Sequence, residues 1–149
     1  MPYSNLRKGR YSETGRIYFV TATTHNREPF FNSFLVARTL VINMQATQFQ
    51  LDFTFLSWVI MPDHAHWLIQ LQGFNSLSKI MNQLKGASAH QINKMLKRNG
   101  KFWQVNYYDR GLRKEEDIKE VARYIVANPL RANLVKQLGD YPHWDSIWL

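Results

Sequence analysis

Apolar and polar positions alternate along this chain in two rhythms, and each run ends at a turn or cap signal. Arg16–Thr24 (RIYFVTATT) is rich in β-branched and aromatic residues. Alternation at Ile17, Phe19 and Thr21 predicts a first strand, broken by Asn26–Pro29. Asn32 or Ser33 can cap a helix from about Phe34 to Gln48, with Ala37, Leu40, Val41 and Met44 as its apolar stripe. Phe53–Ile60 (FTFLSWVI) and His64–Leu71 (HAHWLIQL) read as second and third strands. Met61-Pro62-Asp63 is a tight turn between them, so the two should pair as an antiparallel hairpin. Ser76 caps a long helix to about Arg98, striped by Leu77, Ile80, Leu84, Ile92 and Met95. Gly86 interrupts that helix, as a bend or a close contact, and Asn99-Gly100 stops it. Phe102–Tyr108 (FWQVNYY) reads as a fourth strand, followed by a turn at Asp109-Arg110-Gly111. A last helix is predicted from about Arg113 to Ala127. Glu115, Glu116 and Asp117 in its first turn suit the positive end of the helix dipole. Asn128-Pro129 ends it, because a residue before proline is pushed away from helical angles.

The predicted order is β-α-β-β-α-β-α. Four strands with two crossover helices match the split βαβ, ferredoxin-like plan with one added helix. The expected fold is therefore α+β, an antiparallel sheet with its helices packed on one face. With 149 residues, a single domain over 1–149 is expected. Residues 1–14 form a polar, basic arm, and 136–149 form a tail that docks through Tyr141, Trp144 and Trp148.

Composition narrows the function. Lys and Arg total 19 against 11 acids, a net charge of +8, which is the electrostatic footprint of a polyanion binder. There is no cysteine, which excludes a disulfide scaffold and a thiolate metal site. No run of 18 apolar residues and no secretory h-region are present, so a cytoplasmic protein without a membrane partner is expected.

His64 and His66 stand two apart near the start of a strand. Side chains at that spacing point the same way, roughly 6–7 Å apart along the strand. Two such imidazoles can converge on one divalent ion, although an H-x-H pair on an arbitrary strand is more often surface or satisfied core. Without thiolates, nitrogen and oxygen ligands suit Mn²⁺ or Mg²⁺, and histidine also suits Zn²⁺. On the last helix, Val121, Ala122 and Ile125 form the buried stripe. Tyr124 and Asn128 are i, i+4 neighbours on its flank. Read alone, Tyr124 is a boundary residue and Asn128 a helix cap. Tyr107 and Tyr108 are rival nucleophiles, in strand context where aromatic packing is common.

MPDHAHWLI resembles the strand that carries the His-hydrophobic-His motif of IS200/IS605-type transposases. TATTHNREPFF, FWQVNYYDRGLR and YIVANPLRANLV extend the match in order along nearly the whole chain. Within that group the chain looks most like the REP-associated tyrosine transposases. The resemblance implies that His64 and His66 are metal ligands and Tyr124 the nucleophile. Asn128 stands where related enzymes place a third polar ligand, often Gln. It implies a ferredoxin-like fold, a Mg²⁺ or Mn²⁺ cofactor, and single-stranded or hairpin DNA as partner. The reaction would be nicking and strand transfer through a 5′-phosphotyrosine, by a monomer or a homodimer. Arg7, Lys8, Arg10, Arg110, Arg113 and Arg131 are candidate phosphate contacts. Trp103, Tyr107 and Tyr108 are candidate base-stacking residues, and His25 and His90 stand as spare imidazoles. The competing functions are a non-catalytic hairpin binder, a relaxase or rolling-circle nickase, and an unrelated metal hydrolase.

Overall fold

The computed structural model describes residues 15–149; the predicted arm, with Arg7, Lys8 and Arg10, lies outside the described residues. Five strands form one sheet: β1 (Ile17–Thr23), β2 (Phe53–Ile60), β3 (His64–Leu71), β4 (Tyr108–Leu112) and β5 (Trp144–Ser146). Their spatial order is β4-β1-β3-β2-β5, and every neighbouring pair is antiparallel. The helices are α1 (Phe34–Leu51), α2 (Leu77–Leu96), α3 (Glu115–Val126) and α4 (Asn128–Arg131). Strands β1 to β4 with α1 and α2 make the split βαβ plan, to which α3, α4 and β5 are added. None of the helices among the described residues is long and apolar enough to cross a membrane.

Local signals start and stop these elements. Ser33 caps α1 by accepting from the Val36 amide at 3.4 Å, and Ser76 caps α2 by accepting from the Lys79 amide at 3.2 Å. Each satisfies one of the amides that a helix start leaves without a partner. Lys97 closes α2 in the left-handed region at φ 54°. Gly86 neither bends α2 nor makes a close contact. It is exposed within a continuous helix, and a Cβ there would meet nothing within 4 Å.

The expectation that the helices share one face holds only for α1 and α2. Ala65, Trp67, Ile69 and Leu71 of β3, with Tyr18, Val20 and Ala22 of β1, pack against Leu40, Met44, Ile80 and Leu84. On the opposite face Val59, Leu68 and Leu112 pack against Val121, Ala122, Ile125 and Val126 of α3. FTFLSWVI and HAHWLIQL carry apolar side chains on both pleats, the pattern of a sheet covered on both sides. The alternation at Ile17, Phe19 and Thr21 therefore marks the α3 side, and the more deeply buried Tyr18, Val20 and Ala22 mark the other.

The fourth strand is displaced from its predicted position. Phe102 and Trp103 are buried without forming a strand. Trp103 makes one isolated bridge to Thr24, and its indole donates to Ser88 at 3.1 Å, while Phe102 stacks on Phe30 at 4.7 Å. The paired strand is Tyr108–Leu112, which contains the predicted turn. At the sheet edge only one side needs partners, so Arg110 and Gly111 are tolerated there. The chain also remains helical past Asn128-Pro129, but in a separate short helix, while the helix before it stops at Val126. The break falls at Ala127, and Pro129 sits in the first turn of α4, where its missing N–H costs nothing. In the tail, Trp144 and Val59 pair across β5 and β2, and the Tyr141 hydroxyl donates to the Ile60 carbonyl. Trp148 remains 41% exposed.

Because Ile125 is fully buried beneath α3, Ile125→Ala should lower stability by about 2–5 kcal/mol. Tyr124, the adjacent residue, is half exposed, so Tyr124→Phe should stay within about 0.5 kcal/mol of the parent. Urea unfolding with an unchanged m-value checks both.

Candidate active site

The face of the sheet beneath α3 gathers the predicted site. Residues directly opposite across antiparallel strands share a face. One rung runs Trp144, Val59, His66, Thr21, Tyr108 across five strands, and the next contains Leu68, Phe19 and Arg110. His64 pairs with Thr23 at the end of the same face. The His64 and His66 rings stand 4.8 Å apart, centroid to centroid, nearly edge to face.

Each imidazole is oriented through Nδ1. His64 Nδ1 lies 2.7 Å from an Asp63 carboxylate oxygen, and the other oxygen of Asp63 accepts from Arg27 at 3.0 Å. A carboxylate only accepts, so Nδ1 carries the proton and Nε2 of the neutral ring keeps its lone pair. Burial works to raise the Asp63 pKa. Hydrogen bonds from His64 and Arg27, and their charges, outweigh it and hold the carboxyl below its usual range. His66 Nδ1 lies 2.7 Å from the Thr21 hydroxyl. Its pKa is pushed down to about 3, first by burial, then by the charges of His64 and Arg131. It is therefore neutral at pH 7, the form that binds metals. A carboxylate or hydroxyl behind each ring fixes the ring's direction in the way that outer partners orient metal-bound histidines.

Tyr124 arrives from α3. Its ring lies 6.2 Å from that of His66 and 6.2 Å from that of Phe19, edge-on to both. The side chain is 48% exposed, so the phenol is open to a large substrate. Arg131 lies over the Tyr124 ring at 3.9 Å. Asn128, one turn beyond Tyr124, has a buried amide nitrogen without a hydrogen-bond partner. The two ends of an amide are interchangeable by rotation, so Asn128 can present its oxygen. Among the described residues no three of His, Cys, Asp and Glu gather as ligands. Two imidazoles side by side are nitrogen donors of the kind that suit a divalent cation.

Beside the phenol opens a cleft of about 400 Å³ lined by Phe19, Arg110, Asp117, Glu120, Val121 and Tyr124. Arg113 lines the adjoining groove with Arg110.

Other predicted residues fall elsewhere. His90 is exposed on α2, on the opposite side of the sheet. His25 begins a short 3-10 turn, with its amide bonded to the Phe102 carbonyl. Trp103 is 5% exposed and belongs to the core under α1 and α2, so it offers no surface for a base. Tyr107 packs against that same core, under the ammonium of Lys85. Tyr108 is half exposed and reaches the edge of the site, its ring 6.1 Å from that of Phe19. Sequence reasoning missed Phe19, Thr21, Arg27 and Asp63 as site residues. Asp63 was within reach, since a carboxylate directly before a ligating histidine is a common orienting partner. Thr21 was not, because its role depends on β1 and β3 pairing in one register.

Known proteins match this arrangement. The family model "Transposase IS200 like" matches residues 14–128. The REP-associated tyrosine transposase of Escherichia coli (strain K12) is 26% identical over 136 residues, 89% of this chain and 78% of that protein. The structure of a REP-associated tyrosine transposase bound to a REP hairpin superposes with a TM-score of 0.79 at 24% identity, over 91% of this chain and 79% of that one. A structure described as a transposase of Deinococcus radiodurans superposes at 0.58 with 21% identity, over 79% and 94% of the two chains. At these identities the two structures establish a shared fold. With the family model spanning most of its length, this chain belongs to the IS200-like transposase family and is an enzyme of the single-tyrosine transposase type.

Proposed function

We propose that this protein nicks and rejoins hairpin-forming single-stranded DNA through a 5′-phosphotyrosine bond to Tyr124. The observation that carries this reading is the position of the Tyr124 ring, 6.2 Å from His66 on the histidine face of the sheet and within one chain. The basic charge of the chain and a relative whose structure holds a REP hairpin support the substrate class.

A neutral phenol is a weak nucleophile at pH 7. His64 and His66 through Nε2, with the Asn128 amide, would hold a divalent cation such as Mg²⁺ or Mn²⁺. When bound, such an ion supplies charge neutralisation at a nonbridging phosphate oxygen. Asp63 and Thr21 keep the two imidazoles aimed. Tyr124 attacks phosphorus, losing its phenolic proton, and a 3′-hydroxyl leaves with a proton. One phosphate ester is exchanged for another, so a second 3′-hydroxyl can displace Tyr124 without a nucleotide cofactor. Arg110 and Arg113, along the open cleft beside the phenol, offer phosphate contacts to the incoming strand.

A hairpin oligonucleotide carrying single-stranded flanks, incubated with the protein and Mn²⁺, should give a denaturation-resistant protein–DNA adduct. Tyr124→Phe should abolish the adduct and Tyr108→Phe should keep it. An adduct that persists in the Tyr124 variant assigns the nucleophile elsewhere. Hairpin binding without any adduct, under every metal tried, identifies a binding protein without catalysis.

His64→Ala and His66→Ala should each remove the adduct while leaving hairpin affinity within a few-fold. Asp63→Asn should raise the Mn²⁺ concentration needed for half-maximal adduct by about 10- to 100-fold, the usual loss when an orienting partner of a ligating histidine is removed. Metal titration of adduct formation separates these outcomes.

A further inference from the structure

Arg131 would serve, on sequence grounds, as one phosphate contact among several. Its geometry is different. The carbon of its guanidinium lies 3.9 Å from the centroid of the Tyr124 ring, which is stacking distance. One of its terminal nitrogens donates to the backbone carbonyl of the same residue, Tyr124, at 2.7 Å. Arg131 is exposed, yet its guanidinium does not extend freely from the surface. It is folded back over two turns of chain onto a single residue.

The helix break explains how it gets there. In the last turn of a helix the carbonyls lose their amide partners. α3 ends at Val126, and Pro129, which carries no N–H, follows at the start of α4. The Tyr124 carbonyl is in that last turn, where a cationic donor is favoured by hydrogen bonding and by the negative end of the dipole. Arg131, the last residue of α4, supplies it. The planar fork lets one group bond the carbonyl and stack on the ring together, which an ammonium cannot do.

We propose that Arg131 is a positioning residue that clamps the Tyr124 ring in its attack-ready direction over the imidazole face. Tyr124 needs such a clamp because it is half exposed. A tyrosine side chain has staggered χ1 wells to choose from, and its contacts with the Phe19 and His66 rings are edge-type, with centroids 6.2 Å away in each case. Arg131 lies over the face of the Tyr124 ring. This inference rests on Tyr124 being the nucleophile.

The test uses the full chain with Arg131→Lys and Arg131→Ala. Adduct formation is measured in a single turnover at saturating hairpin DNA with Mn²⁺, and hairpin affinity by anisotropy. Protein labelled with 3-fluorotyrosine gives a ¹⁹F resonance for Tyr124, identified as the one missing from Tyr124→Phe. The clamp predicts that Arg131→Lys, with its charge kept, slows the saturated rate about 10- to 100-fold, the penalty for a small misplacement of a reacting group. Affinity should change less than twofold, and the Tyr124 resonance should move in both variants. A rate within twofold of the parent in Arg131→Lys overturns the proposal. Rate and affinity falling together also overturn it, in favour of a phosphate contact. If the parent forms no adduct, the nucleophile reading fails by itself. The fluorine signal then still decides the clamp, and an unmoved resonance refutes it.

Discussion

The site depends on the register of β3 between its two neighbours. Thr21 stands opposite His66 on one side and Val59 opposite it on the other. Side chains alternate faces along a strand, so a slip of one residue would turn both imidazoles toward α1 and α2 and bring Ala65 and Trp67 beneath α3. Such a slip is opposed by both cores at once. Trp67, Ile69 and Leu71 are fully buried on one face and Leu68 on the other. The short Met61-Pro62-Asp63 connection pins the hairpin end and places Asp63 beside His64. The apolar residues that stabilise the fold thus also decide which face holds the polar site.

α3 completes the arrangement from the other side. Val121, Ala122, Ile125 and Val126 face the sheet, and Tyr124 follows at the edge of that stripe, a position set by helical spacing. The first turn carries Glu115, Glu116 and Asp117. It places negative charge at the helix start, where the dipole favours it, and Asp117 also lines the cleft beside Tyr124 together with Arg110. Arg131 lies at the opposite end of the helix, where a cation is favoured.

Much of this was legible in the residues, and the losses have physical causes. The hairpin, the caps at Ser33 and Ser76 and both crossover helices carry local signals, and these the structure reproduces. FWQVNYY was misread because aromatic, β-branched composition reports burial as readily as pleating. Phe102 and Trp103 are buried as a plug under α1 and α2, and the edge strand that follows, YDRGL, carries Arg and Gly where only one side is paired. The second covered face was written in the unbroken apolar character of β2 and β3, but one cannot tell from a run which helix covers it. The i, i+2 histidines and the i, i+4 Tyr124–Asn128 pair could be placed on faces from spacing alone. Thr21, Phe19 and Arg131 could not. The first two depend on pairing between distant strands, and the third on a side chain turning back across a helix break.

The groups of the site come from three stretches of chain: residues 19–27, 63–66 and 124–131. Within each stretch the spacing is fixed locally, by a strand, a turn or a helix. Between stretches it is fixed only by packing. β1 and β3 are hydrogen-bonded to each other along seven residue pairs, whereas α3 is held to the sheet by side chains alone, chiefly Ile125, Val121 and their partners around Leu68. A helix attached by one apolar stripe opens at lower free energy than a central strand. The imidazole pair is therefore the persistent half of the site and the phenol the half that can depart from it. The contacts of Tyr124 with Phe19 on the sheet and with Arg131 beyond the break lie where the assembly is weakest. If Tyr124 is the nucleophile, as proposed above, the fraction of molecules ready to react is governed by how α3 seats on the sheet, more than by the stability of the sheet itself.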